Sequence, residues 1–214
     1  MAIGIDARFY GSVGKGLGRY TQKLIEQLEK LDGENQYFVF LRRENFEEYV
    51  PKNKNFQKVL ADYQWYSFAE QIFFPRLLSK YKLDLMHFPH FNVPILYGRK
   101  FVITIHDLIL LHFPTKRAST LSPLWYSFKF LAYRLVIFLA IWRSQKVFAV
   151  SEFTKQDILE QYSIAKNKVV VTHEACEKKA QISLRDSEQI LAKYGIMKPY
   201  LLYVGNAYPH KNLE

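Results

Sequence analysis

The chain is written in alternating blocks, short runs of continuous apolar residues and longer stretches that are apolar only at every third or fourth position. The runs predict strands at Ala2 to Ala7, Gln36 to Leu41, Phe56 to Ala61, Leu83 to Phe88, Phe101 to Ile105, Lys146 to Val150, Lys168 to Thr172 and Tyr200 to Val204. Between the first two, Leu17, Leu24, Ile25, Leu28 and Leu31 recur at helical spacing, with Lys23, Glu26, Glu29 and Lys30 on the wet side; Asp32-Gly33 ends that helix. Trp65 to Tyr81 has helical period, and Pro75 either kinks it or begins a new helix. Further helices are predicted over Leu124 to Trp142, from a Ser151 cap to Tyr162, and over Ser187 to Tyr194 before Gly195.

Strand and helix alternate, and most strands lack an alternating wet face. That pattern belongs to a parallel α/β sheet covered on both sides. Such sheets bind ligands beyond the carboxyl ends of their strands. Four loops are therefore expected at one rim: Asp6 to Gly18, His87 to Pro94, His106 to Pro114, and Ser151-Glu152.

The first of these loops holds four of the nine glycines, Gly11, Gly14, Gly16 and Gly18. A helix that opens from such a loop presents free N–H groups and a positive dipole end, which suits a phosphate; a tight strand-to-helix turn without a ligand is the plainer reading. Gly14-x-Gly16-x-Gly18 is not the dinucleotide spacing, and Gly16 follows Lys15 where a P-loop needs Ser or Thr. Arg42-Arg43 stands where an NAD enzyme carries a ribose-binding carboxylate.

His87-Phe88-Pro89-His90 leaves one strand and His106-Asp107 the next, with Asp6 and His112 in the same region. Three readings compete: a metal site, histidines satisfied structurally, and a polar pocket for a hydroxyl-rich ligand. No Cys joins the histidines and no helical H-x3-H pair occurs, so a metal is not expected.

With 214 residues, 49% hydrophobic, the chain can bury a large core and suggests one domain plus something extra. The single Cys176 excludes an internal disulfide and fits a reducing compartment. The first residues read directly as a strand, so no leader peptide is expected. The net charge of +10 favours anionic partners: nucleotides, acidic lipid surfaces or nucleic acid.

Ile3 to Arg8 with Lys15 to Tyr20, His87 to His90, Val102 to Leu108, Val147 to Thr154, Tyr200 to Asn206 and Pro209 to Leu213 together resemble the retaining GT-B glycosyltransferases of the group-1, family-4 type. The resemblance spans nearly the whole chain. It implies a Rossmann-like, doubly wound, mostly parallel sheet of about seven strands with helices on both faces, the N-terminal half of a GT-B fold. Residues 1–184 would form that domain, 185–198 a linker helix, and 199–214 the first strand of a C-terminal nucleotide-sugar domain. A lone strand builds no sheet, so Tyr200 to Glu214 is expected to be frayed or laid on the surface.

The resemblance also implies roles. His106, with Asp107 beside it, would line the donor-sugar pocket. Gly16, Gly18, Arg19 and Lys211 would meet the donor diphosphate, with Asn206 where relatives often carry arginine. Asp6, His87, His90, Ser151 and Glu152 would lie at the acceptor side or cleft. The expected substrates are a nucleotide-diphosphate sugar and a glycan or lipid-linked acceptor, as in mannosyl- or rhamnosyltransferases of cell-surface polysaccharide synthesis. No metal or other cofactor and no nucleic acid is expected, and this half alone is expected to be inactive. Two alternatives stand beside this reading: a non-catalytic acceptor- or membrane-binding module, and a nucleotide-cofactor oxidoreductase, which the glycine spacing and Arg42-Arg43 disfavour.

Thr115 to Lys146 holds six Lys or Arg and no acid. Leu124, Phe128, Leu131, Leu135, Phe138 and Trp142 form one helical face; Tyr126, Phe130, Tyr133, Ile137 and Ile141 form nearly the opposite one. Such a helix is buried on both sides, or meets lipid or a partner on one. Lys129 and Arg134 interrupt the apolar run, so spanning a bilayer is not expected; sheet contact on one face and a neighbouring helix on the other is the favoured reading, and lying on an anionic membrane surface is the alternative. The expected location is cytoplasmic, at the membrane face if that helix touches lipid.

Overall fold

The computed structural model describes residues 1–114, 123–175, 184–205 and 211–213. Seven parallel strands form one sheet in the order β3-β2-β1-β4-β5-β6-β7. They are β1 (Ala2–Asp6), β2 (Gln36–Leu41), β3 (Phe56–Leu60), β4 (Leu85–Phe88), β5 (Phe101–Ile105), β6 (Val147–Ala149) and β7 (Val169–Val171). The order reverses direction between β1 and β4, and the α/β sheet has its ligand crevice at such a switch point. Register places Ile5 beside both Val39 and His87, and His87 beside Val102, so the carboxyl ends of β2, β1, β4 and β5 fall along one edge of the sheet.

The helices are α1 (Lys15–Leu31), α2 (Phe68–Ser79), the short α3 (Ile109–His112), α4 (Pro123–Arg143), α5 (Glu152–Gln161) and α6 (Leu184–Lys193). One core joins Phe40, Phe74, Leu78, Met86, Phe88, Ile103, Ile137, Ile141, Ala149 and Ile158 from the sheet, α2, α4 and α5. A second joins Ile5, Ile25, Val39, Leu41 and Tyr49, with α1 over β1 and β2. Continuous apolar strands thus serve two covering layers.

Local chemistry explains the helix ends. Ser67 and Ser151 each accept an N–H from three residues on, Glu70 and Thr154 respectively, and start α2 and α5. α2 therefore begins later than its period suggested, at Phe68, and it runs through Pro75 as one helix. The expected strand at Tyr200 to Val204 does not form: residues 201–205 are exposed and outside any regular element. An apolar run becomes a strand only where a neighbouring edge takes its backbone bonds.

The structure divides into two units, Met1–Glu174 and Ala175–Glu214. The first holds the whole sheet. The described part of the second comprises α6, a turn at Gly195 with φ of +64°, and the exposed residues that follow.

At the rim of the sheet a buried ionic group ties three loops together. The fully buried Arg8 donates to Asp6 at 2.7 and 2.8 Å and meets Glu70 Oε1 at 2.7 Å. Asn92 Nδ2 and the Tyr66 N–H donate to the two Glu70 oxygens, each at 2.7 Å. Burial alone would weaken the charge on Arg8, but the two carboxylates more than offset it and raise its pKa. Removing one partner of such a group strands a buried charge, at a cost of about 3–5 kcal/mol. Glu70→Ala should lower the unfolding free energy by that amount, read from the fall in urea midpoint at unchanged m-value, and Glu70→Gln, which keeps the bond from Asn92, by less; equal, negligible losses would show that the group does not hold the rim.

Candidate anion and sugar site at the carboxyl ends of the central strands

The loop after β1 is pinned from below. Asn45, buried, donates to the carbonyls of Ala7, Arg8 and Tyr10 at 3.1–3.2 Å, and Glu48 accepts from the Ser12 hydroxyl and N–H. The glycines then divide by role. A Cβ on Gly14 would stand 2.0 Å from the Phe9 carbonyl, and one on Gly18 2.2 Å from the Gly11 carbonyl, so both are demanded by the close approach of loop to helix. The Gly18 N–H is also taken up by the Gly14 carbonyl at 3.0 Å. Gly18, expected at a phosphate, therefore serves packing. Gly16 differs: it is exposed, with nothing within 4 Å of the Cβ position. Gly14 at the N-cap has no side chain to cap α1; the Lys15 N–H bonds the Ser12 carbonyl at 3.2 Å, and among the described residues no side chain accepts from the Gly16 or Leu17 N–H. Arg19 is exposed in the same turn and bonds Gln22 at 3.4 Å.

Tyr20 lies one turn beyond Gly16, on the same side of α1. Its ring stands edge-on to His106 at 4.8 Å, and its hydroxyl is 3.2 Å from Thr104 Oγ1. His106 leaves β5 with its Nε2 3.0 Å from the Pro89 carbonyl and its Nδ1 2.9 Å from a Glu174 oxygen. Both partners are oxygen acceptors, one a backbone carbonyl and one a carboxylate. Thr154 of α5 donates to the His106 carbonyl at 3.1 Å. Four segments thus converge on one histidine.

The other expected residues sort by geometry. His87 is buried, and its Nε2 meets Thr104 Oγ1 at 2.9 Å; it belongs to the floor of the site. His90 is wedged between Phe9 and Phe91, 5.5 and 4.0 Å between ring centroids. Asp6 does not face a cleft, because Arg8 occupies its carboxylate. Asp107 is exposed and caps the Ile109 N–H, while Ser151 caps α5 and Glu152 is exposed beside it. Lys211 is exposed in the second unit; Asn206 and Cys176 lie outside the described residues. Among the described residues no group of three or more His, Cys, Asp or Glu is placed to hold a metal ion. Glu174 and Tyr20 were not singled out as site residues, since their partners lie 68 and 84 positions away; Tyr20 at i+4 from Gly16 was the one local signal.

Burial and the nearby His106 push the pKa of His87 down to about 4 and that of His90 to about 3. An unfolded imidazole takes its proton near pH 6.5. Between these values the unfolded chain binds more protons than the fold, so stability falls as pH drops from about 6.5 towards 4. For His87 the loss is on the order of 3 kcal/mol. Urea titrations across this range should show that acid limb, and His87→Asn should flatten it to the part due to His90; an unchanged limb would show that His87 is not held neutral.

The comparisons with known proteins agree with this architecture. The relative O-antigen chain mannosyltransferase RfbU of Salmonella typhimurium is 22% identical over 214 residues, covering 95% of this chain and 54% of its own length. The structure of Anabaena Alr3699/HepE, solved with UDP and glucose, superposes with a TM-score of 0.53 at 14% identity, over 91% of this chain and 50% of that one. The chain thus spans about half the length of the proteins it matches. The family model for Glycosyltransferase Family 4 matches residues 14–176, from the glycine loop to just past β7. The chain belongs to Glycosyltransferase Family 4.

Proposed function

We propose that this chain is the acceptor-side half of a retaining glycosyltransferase that moves a hexose, of the mannosyl type, from a nucleotide-diphosphate donor to a glycan or lipid-linked acceptor. The observation that carries this reading is the uncapped start of α1 at Gly16, open to solvent and one turn from the Tyr20–His106 contact. The RfbU likeness supports the sugar class. Residues 185–198 would link to, and 199–214 would open, a C-terminal domain that holds the nucleotide.

In this reading the departing diphosphate is stabilised by the α1 amides, acting on charge that grows as the glycosidic bond breaks. His106, held by Pro89 and Glu174, presents its ring edge towards the sugar side. The half described here offers no dedicated nucleophile, so rate enhancement comes from positioning and charge stabilisation. The work is placed in the cytoplasm, with α4 resting on the membrane face.

Two experiments test this. In a form that also carries the sequence equivalent to the relatives' other half, a panel of nucleotide sugars should reveal a donor; His106→Ala should then lower turnover at least 100-fold, the scale of losing one preorganised polar group, and Gly16→Asp should weaken donor binding with little change in melting temperature. Unchanged turnover in His106→Ala would remove the histidine from the site, and donor binding without turnover would favour the non-catalytic module. Separately, the chain should co-sediment with vesicles in proportion to their anionic lipid, and Leu131→Ser with Trp142→Ser should weaken this; sedimentation blind to lipid charge would remove the membrane role.

A further inference from the structure

His106 and Glu174 meet as a pair whose two members are held very unequally. His106 is fixed from several sides: Nε2 lies 3.0 Å from the Pro89 carbonyl, the Tyr20 ring stands edge-on at 4.8 Å, and the backbone carbonyl accepts from Thr154. Glu174 is tied only at its tip. Its Oε1 lies 2.9 Å from His106 Nδ1, and among the described residues its carboxylate has no other hydrogen-bond partner. β7 ends at Val171, and the Thr172 N–H still donates to the Ala149 carbonyl at 2.9 Å. Past that point neither His173 nor Glu174 joins a backbone hydrogen bond among the described residues. The Glu174 side chain is 51% exposed, against 20% for His106.

The Glu174 charge also reaches Tyr20. Burial raises the pKa of the Tyr20 hydroxyl, its bond with Thr104 pulls it back, and the carboxylate adds to the rise. Beneath the ring, Thr104 Oγ1 is 3.2 Å from the Tyr20 hydroxyl and 2.9 Å from His87 Nε2, so that polar floor is already partnered. The contact free to exchange is the one between His106 Nδ1 and Glu174.

A hydroxyl suits the space between these two groups. With the proton on Nδ1, it accepts from the ring and gives its own proton to the carboxylate, so it replaces the direct bond and strands neither partner. A phosphate does not suit it, because beside Glu174 anion would face anion.

We infer that Glu174 covers the His106 nitrogen while no donor is bound, and moves aside to receive a hydroxyl of the donor sugar, which then bridges imidazole and carboxylate. This deepens the transferase function proposed above and rests on it. The fixed histidine sets where the hydroxyl goes, and the loosely held carboxylate moves to meet it. Glu174 is thereby a specificity residue for the sugar, while the diphosphate is left to the start of α1.

Two arms test this. In the 214-residue chain, imidazole proton–nitrogen spectra follow His106, assigned with His106→Gln. Glu174→Ala should move its Nδ1 resonance and leave those of His87 in place; an Nδ1 resonance blind to Glu174→Ala would overturn the pair. The longer form, carrying the relatives' other half, is assayed with GDP-mannose and UDP-glucose and with analogues that each lack one sugar hydroxyl. One analogue should lose about tenfold or more in kcat/KM in the unaltered protein but only about twofold in Glu174→Ala, where the partner of the missing hydroxyl is already gone. Glu174→Gln, whose amide oxygen still accepts, should recover part of the loss that Glu174→Ala shows on the complete donor. Melting temperatures should hardly move, since the side chain is half exposed. Losses that simply multiply for every analogue would overturn the inference while turnover of the complete donor leaves the transferase standing. Absence of turnover with either donor, with the Nδ1 response intact, would instead strike the transferase reading and the sugar contact with it.

Discussion

The rim of this sheet depends on keeping one buried guanidinium satisfied. Arg8 has no access to water, and an unpaired charge there would not be tolerated. Asp6 at the end of β1 and Glu70 in the first turn of α2 hold it, while Glu70 in turn receives Asn92 from the loop after β4 and the Tyr66 N–H. The contacts of Glu70 with Arg8 and with Asn92 each close a long stretch of chain. The result is that three loops with little regular structure stand in one arrangement, and the groups above them inherit it.

What stands above is a set of backbone positions more than a set of reactive side chains. Gly14 and Gly18 let the loop after β1 press against α1, and this places the Gly16 turn facing outward. Tyr20 and the Pro89 carbonyl fix the ring of His106, and Thr154 fixes its backbone. The loop and the ring are thus held rigidly at the carboxyl edge of the sheet. The same economy shows at α4, where one apolar face completes the core and the other remains outside with a basic fringe. The helix both builds the domain and offers it an external surface.

Much of the architecture was legible in the chain. Continuous apolar runs separated by helical periods specify a parallel, doubly covered sheet, because side-chain period and burial are local consequences of backbone geometry. Ser151 as a cap and the two faces of α4 could be read in the same way. The open start of α1 was legible as a glycine cluster at a strand-to-helix junction, though the chain alone could not say which glycines are demanded by close packing and which stands open. The run Tyr200 to Val204 shows the limit: it has strand composition, yet it forms no regular element.

The sequence by itself thus determined the order of elements, the handed parallel sheet they imply, and the loops that gather at its carboxyl edge. Only the tertiary structure decided that Asp6 is a buried counter-ion rather than a cleft residue, that Gly16 and not Gly18 is open, and that His106 shares its two nitrogens between Pro89 and Glu174. The reason is physical. Period and propensity act over one or two turns of chain, whereas the pairing of a charge or a hydrogen bond depends on which distant segments the sheet order brings within 3 Å.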